Sequence, residues 1–491
     1  MELKNIKILL DQKNFNDAKS SLLKLIDNKI KFINNLVNLE DNYKDLYFTL
    51  SQVCIQLNEI KESKKYLIKH LEINPKDCEA FLNLANMQLR SQEIDNAEKT
   101  YKSILKINKN YLPAIVNLAI FYEGIGKIDK AIKYYDIATE IEPNNLKFQY
   151  SLLRVNPNYL KDKKIKFIKD LIKSKKIPKK DKFLAKLILS EDCKKNKDYP
   201  NEIKFLELSQ KEFLENNLDK KSKEYWSDII PHYYDKFIYK NNNENIFKNV
   251  NPVFIIGLPR SGSTITELIL STSKTPKSII GESGLINFSL INIFGEKLFH
   301  KPKYNKIEID IDLIEKKLLS NLKNLNISVL DKSIFIDKSL ENFFYIDLII
   351  KIFPKAKFVI TERNIVDNIL GIYKKVLLNI SWAHSISEIT KYIDNYISII
   401  SFYKKKYNNN LITIKLDDLQ NFDKKKILNL FNFCGLEFNE KYFEFKKQNV
   451  FIDNASNIQI RNNLYKVDIN KYKKYYYLLK GYEKKYPWIK F

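Results

Sequence analysis

Between residues 40 and 145 the chain repeats itself every 34 residues, and a period of that length leaves few folds open. Leu50, Leu84 and Leu118 recur at that spacing, followed by the small residues Ser51, Ala85 and Ala119. Ser63, Ala97 and Ala131 form a second small-residue series, and Tyr101 and Tyr135 an aromatic one. Ile-Asn-Pro, Ile-Asn-Lys and Ile-Glu-Pro corners fall at 73–75, 107–109 and 141–143. Small residues on both helices of a hairpin let the backbones approach closely, and the corner ends each unit. One hairpin cannot bury its apolar face alone, so the units must stack. Weaker versions of the pattern around Ala18 and between Ala185 and Leu206 read as degenerate or capping hairpins.

The texture changes near Asn251. Apolar strand runs (Val253–Ile256, Phe358–Thr361, Leu411–Ile414) now alternate with helical patterns, as in a parallel α/β sheet. The expected organisation is therefore multidomain. An all-α repeat solenoid over 1–150 is followed by degenerate helical repeats and a join over 151–250. An α/β domain of P-loop-like type with a central parallel sheet occupies 251–491. The period and pattern of the first part resemble tetratricopeptide repeats. That resemblance implies a concave groove for a peptide or partner protein, or a rigid scaffold for the neighbouring domain.

Five of the ten glycines fall between residues 251 and 300, where backbone must approach a ligand or take positive φ. Two of them frame Gly257-Leu-Pro-Arg-Ser-Gly-Ser-Thr264, between an apolar strand and a helix. Backbone amides at such a helix N-terminus suit phosphate or sulfate. Gly257 and Gly262 have Walker A spacing, but Ser263 stands where a nucleoside triphosphatase needs lysine. The loop's positive charge comes from Arg260 instead. Arginine is scarce here: of 84 basic residues only Arg90, Arg154, Arg260, Arg363 and Arg461 are arginine. A guanidinium binds phosphate with a rigid planar fork, which an ammonium cannot. Arg260 and Arg363 sit where such geometry matters, whereas repeat packing or surface roles suffice for Arg90 and Arg154.

The net charge of +25 is spread through every segment, which favours solvated lysine over a dedicated nucleic-acid surface. Cys54, Cys78, Cys193 and Cys434 form neither a CxxC pair nor a disulfide framework, and Cys54 and Cys78 read as core thiols. His70, His232, His300 and His384 have no ligand spacing, so no metal is expected. No apolar run is long enough to span a membrane and the N-terminus lacks a leader pattern, so a cytoplasmic setting is expected. The lysine–tyrosine run Tyr472–Tyr477, continuing to Tyr482 and Trp488, reads as a closing helix packed on the sheet rather than a base-stacking surface.

The Gly257–Thr264 loop resembles the 5′-phosphosulfate loop of sulfotransferases that use 3′-phosphoadenosine 5′-phosphosulfate (PAPS). It is closest to a branch with a GLPRSGTT-type loop, often preceded by tetratricopeptide repeats and related to the tyrosylprotein sulfotransferases. Further landmarks follow in order: Ile280-Gly-Glu-Ser283, Asp337-Lys338 with Asn342, the strand from Phe353 to Arg363, and Ala455 to Arg461. The resemblance implies PAPS as co-substrate and assigns roles residue by residue. Arg260 with Ser261, Gly262, Ser263 and Thr264 would hold the 5′-phosphosulfate, and Arg363 the 3′-phosphate. Ser456, Gln459 and Arg461 would close over the nucleotide. Glu282 matches the general base, and Lys338 would stabilise the leaving oxygen, so Glu282, Lys338 and Arg260 are the candidate catalytic residues. Asp337 would anchor its loop.

Two positions depart from the family. Leu340 replaces a proline near Lys338, and Gly371 replaces a serine at the 3′-phosphate site. The Gly371 backbone, Lys374 or Lys375 would have to compensate there. The implied acceptor is a hydroxyl on a peptide tyrosine, a glycan or a small metabolite. Two other readings remain open from the residues: an inactive repeat scaffold that binds partner proteins, and a kinase-like phosphotransferase.

Overall fold

The computed structural model describes residues 2–12, 14–33, 45–57, 59–173, 177–241, 243–299, 306–325, 327, 329, 332–443 and 472–491. Two compact units divide the chain. One holds the residues up to Asn156 and a short stretch from Asn321; the other holds most of the chain from Pro157 on and every strand among the described residues.

The first unit is built of antiparallel helix pairs. Leu46–Gln56 pairs with Ile60–Ile73, Cys78–Arg90 with Ile94–Ile107, and Leu112–Gly124 with Ile128–Ile141. Ala80, Ala85, Ala97, Ala114, Ala119, Ala131 and Ala138 are fully buried, as close helix approach requires. Asp77 starts its helix by accepting from the Glu79 and Ala80 amides at 2.9 and 3.0 Å, which supplies part of what the first turn lacks. Arg154 has a packing role: it pairs with the buried Glu123, which also accepts from Tyr135 Oη at 2.9 Å. Cys54 is buried as expected, whereas Cys78 is only half-buried at a helix start.

In the second unit the helices Asp162–Lys173, Lys182–Lys195 and Tyr199–Asn217 cluster with the strands. They include the degenerate hairpin between Ala185 and Leu206. Among the described residues seven strands follow: β1 (Phe237–Lys240), β2 (Val253–Gly257), β3 (Ser278–Gly281), β4 (Ile307–Asp310), β5 (Phe335–Asp337), β6 (Lys357–Glu362) and β7 (Leu411–Lys415). β1 and β4 form a small parallel pair, and the others a parallel sheet in the order β3-β5-β2-β6-β7. Parallel sheets are covered on both faces. Accordingly Phe254, Ile255 and Ile256 of β2 and Phe358, Val359 and Ile360 of β6 are almost inaccessible. The chain visits β3 and β5 on one side of β2 before crossing to β6 and β7. A reversal of this kind opens a crevice at the carboxyl ends of the strands, where α/β sheets bind ligands.

Candidate active site

Four of the sequence landmarks reach that carboxyl edge. β2 ends in Gly257 and the anion loop, β3 in Gly281 and Glu282, β5 in Asp337 and Lys338, and β6 in Glu362 and Arg363.

The loop is fixed by close backbone approach. Gly257 has φ 146°, and a Cβ there would lie 2.8 Å from the Thr361 carbonyl oxygen, so only glycine fits between β2 and β6. Ser261 is buried with its Oγ 2.6 Å from both the Leu258 carbonyl and Thr361 Oγ1, so its hydroxyl ties the loop to β6. Asn368 Nδ2 donates to the Pro259 carbonyl at 2.7 Å from the other side. Arg260 takes a left-handed φ of 70°, a strained choice for a long side chain that marks functional loops. Gly262, with φ 104°, precedes a helix over Ser263–Ser271 that has no side-chain N-cap. The Ser263 and Thr264 amides therefore stand in the first turn, at the positive end of the helix dipole.

Arg260 and Arg363 meet around Gly371. A Cβ at Gly371 would lie 3.6 Å from Arg363 Nη1, 3.7 Å from Arg260 Cβ and 3.5 Å from Tyr472 Oη. Burial lowers the Arg260 pKa, the nearby Tyr472 opposes this, and the charge on Arg363 adds to the lowering. Gly371 thus lies against both arginine residues, and the charge of Arg363 is felt at Arg260. Arg363 Nη2 lies 3.8 Å from Asp367 Oδ2, and its guanidinium is 5.2 Å from the centre of the Tyr472 ring. Lys374 does not reach this position. It pairs with the buried Glu202 at 2.6 Å, lies 3.2 Å from the Tyr475 ring centre, and burial lowers its pKa to about 8. Ser456, Gln459 and Arg461 lie outside the described residues.

Lys338 sits between two carboxylates, 3.0 Å from Glu267 Oε2 and 3.2 Å from Glu282 Oε1. Its side chain is 4% exposed, whereas that of Glu282 is 54% exposed and open to an incoming molecule. Burial alone would lower the Lys338 pKa, but the two glutamates together raise it. Burial raises the Glu267 pKa, and Lys338 works against that rise. Asp337 is an anchor, as expected: it accepts from the Ser339 amide at 2.8 Å, from Asn342 Nδ2 at 3.0 Å and from Ser283 Oγ. Leu340 opens a 3₁₀ turn over Leu340–Tyr345 whose Asn342 is one of the groups that hold Asp337, so the segment carrying Lys338 is fixed without the family proline.

Glu267 escaped the sequence reading. It is the only charged residue in the loop helix Ser263–Ser271, and that isolation was the available signal. Glu341, whose pKa burial raises to about 7, was also missed. Among the described residues no three His, Cys, Asp or Glu side chains converge to hold a metal ion, and no helix is long and apolar enough to cross a membrane.

Both parts of the chain resemble known proteins. Residues 252–440 match the sulfotransferase family, and residues 45–77 and 112–145 match tetratricopeptide repeats. An uncharacterized protein of Aquifex aeolicus (strain VF5) is 23% identical over 330 residues, which is 64% of this chain and 42% of that protein. The chain thus spans less than half the length of that curated relative. The crystal structure of MamA is 18% identical with a TM-score of 0.29, covering 34% of this chain and 92% of that one. The sulfotransferase STF1 from Mycobacterium tuberculosis H37Rv is 12% identical with a TM-score of 0.26, covering 62% of this chain and 98% of that one. The family matches locate the homology: this chain carries tetratricopeptide repeats in its N-terminal part and a sulfotransferase-family domain in its C-terminal part.

Proposed function

We propose that the C-terminal domain transfers a sulfuryl group from PAPS to an acceptor hydroxyl. The observation that carries this reading is the pairing of a lysine-free anion loop with two arginines that meet around Gly371. A nucleoside triphosphatase would need lysine where Ser263 stands. The residues present fit the donor: an uncapped helix start offers amides to one anionic group, and Arg363 offers a fork to another.

The bound donor supplies the sulfuryl group and a good leaving group. Sulfuryl transfer, like phosphoryl transfer, is expected to depend on positioning and on stabilising charge at the leaving oxygen. Arg260 and the Gly262, Ser263 and Thr264 amides would hold the 5′ end, the Ser261 amide being taken by the Leu258 carbonyl. Lys338 would stabilise the negative charge that develops on the leaving oxygen as the sulfur–oxygen bond breaks. Glu282, exposed and hydrogen-bonded to Lys338, accepts the proton of the attacking hydroxyl. Glu267 holds Lys338 from the buried side and keeps it charged. The acceptor is a peptide tyrosine, a glycan or a metabolite, and the repeats offer a surface for a peptide or partner protein. A reducing, cytoplasmic setting accords with four free cysteines.

Calorimetric titration with adenosine 3′,5′-bisphosphate and with ATP tests the reading. Binding of the bisphosphate that Arg260→Ala abolishes is the expected result; binding of ATP alone would overturn it.

A further inference from the structure

The C-terminal lysine–tyrosine run has no part in the reaction so far, and its tyrosines bond to the helix that carries Gly371 and to the helix Tyr199–Asn217. Tyr476 Oη donates to Asp367 Oδ1 at 3.0 Å, and Tyr475 Oη to the buried Glu202 Oε2 at 2.7 Å. Trp488 Nε1 donates to Asp394 Oδ1 at 2.8 Å, which fixes the far end. These bonds make residues 472–488 a strap tied to three helices, Ile365–Lys375, Tyr199–Asn217 and Ile386–Lys406. At the head of the strap Tyr472 is 6% exposed, with its ring against the Arg363 guanidinium. Its Oη lies 3.5 Å from where a Gly371 side chain would begin.

We infer that Tyr472 is a donor-binding residue, whose phenol donates a hydrogen bond to the phosphate held by Arg363. The inference rests on the proposed donor reading and adds the residue that completes the site. A hydroxyl beside the Arg363 guanidinium, with Arg260 close by, is a matched set for a phosphate: fork, charge and a neutral O–H donor. Gly371 is what admits it. The nearest neighbours of a side chain there would be the phenol and the two arginines, so glycine leaves this space to Tyr472. The strap explains how a residue some hundred positions downstream is held there: its anchors, Asp367 and Glu202, are both buried.

Tyr472→Phe keeps the ring on Arg363 and removes only the hydroxyl. On the full chain, calorimetry with adenosine 3′,5′-bisphosphate and adenosine 5′-monophosphate separates the roles. The variant should bind the bisphosphate about 10-fold more weakly and the monophosphate as wild type does. Adding Gly371→Ser, whose Cβ makes only ordinary contacts, supplies a hydroxyl beside the same arginines and should recover most of the loss. Unchanged bisphosphate affinity in Tyr472→Phe, or an equal loss for both nucleotides, overturns the inference and leaves the donor reading standing. A wild-type chain that binds neither nucleotide overturns both.

Discussion

Replacing Lys338 by methionine should destabilise the sulfotransferase-family domain, and by an amount that depends on pH in a definite sense. Lys338 and Glu267 are both buried and 3.0 Å apart, whereas Glu282 is largely in solvent. Removing the ammonium strands the Glu267 carboxylate in a site whose burial already raises its pKa. Breaking a buried pair from one side costs about 3–5 kcal/mol, a large part of a domain's roughly 5–15 kcal/mol stability. The lost cation raises the Glu267 pKa further. An acid whose folded pKa exceeds its unfolded value binds more protons when folded, so stability falls as pH rises between the two. Above the folded pKa the loss is complete. Towards the unfolded pKa it shrinks, by up to about 1.4 kcal/mol per pH unit. Urea unfolding at pH 5 and pH 8 measures this. Trp226, Trp382 and Trp488 all belong to the unit that starts at Pro157, so tryptophan fluorescence reports on that unit alone. The expected result is a deficit at pH 8 that is clearly smaller at pH 5 and mostly recovered at pH 8 by adding Glu267→Gln. A variant as stable as wild type at both pH values, or a deficit that grows on acidification, would refute the reasoning.

Other substitutions probe single elements. Glu282→Gln removes an exposed proton acceptor without opening a cavity, so donor binding should persist while transfer falls about 10²–10⁴-fold, measured as turnover against nucleotide affinity. Gly257→Ala forces a Cβ to 2.8 Å from the Thr361 carbonyl at a φ that favours glycine, at a cost of about 2–5 kcal/mol readable as a lower urea midpoint.

The periodic helices, the strand–loop–helix at Gly257 and the strand-end positions of Glu282, Lys338 and Arg363 were legible because each is a local pattern. What was not legible depends on distant contacts. Glu267 gains meaning only when β3 and β5 bring Glu282 and Lys338 onto its helix. Lys374 and Tyr472 sit in equally lysine- and tyrosine-rich stretches, and only the fold sends one to Glu202 and the other to Gly371. The convergence of Arg260 and Arg363 was hidden for the same reason, since loop order along a chain does not say which strand ends are neighbours. The order β5-β2-β6 makes the ends of β2 and β6 adjacent and brings these two arginines together.

The most direct test of the central claim is transfer of radiolabelled sulfate from PAPS into a lysate of the source organism, with wild type, Arg260→Ala and Glu282→Gln compared. The account predicts label on a hydroxyl-bearing acceptor with wild type and little or none with either variant. No labelling by a folded wild-type protein that binds adenosine 3′,5′-bisphosphate, or equal labelling by all three, would contradict it.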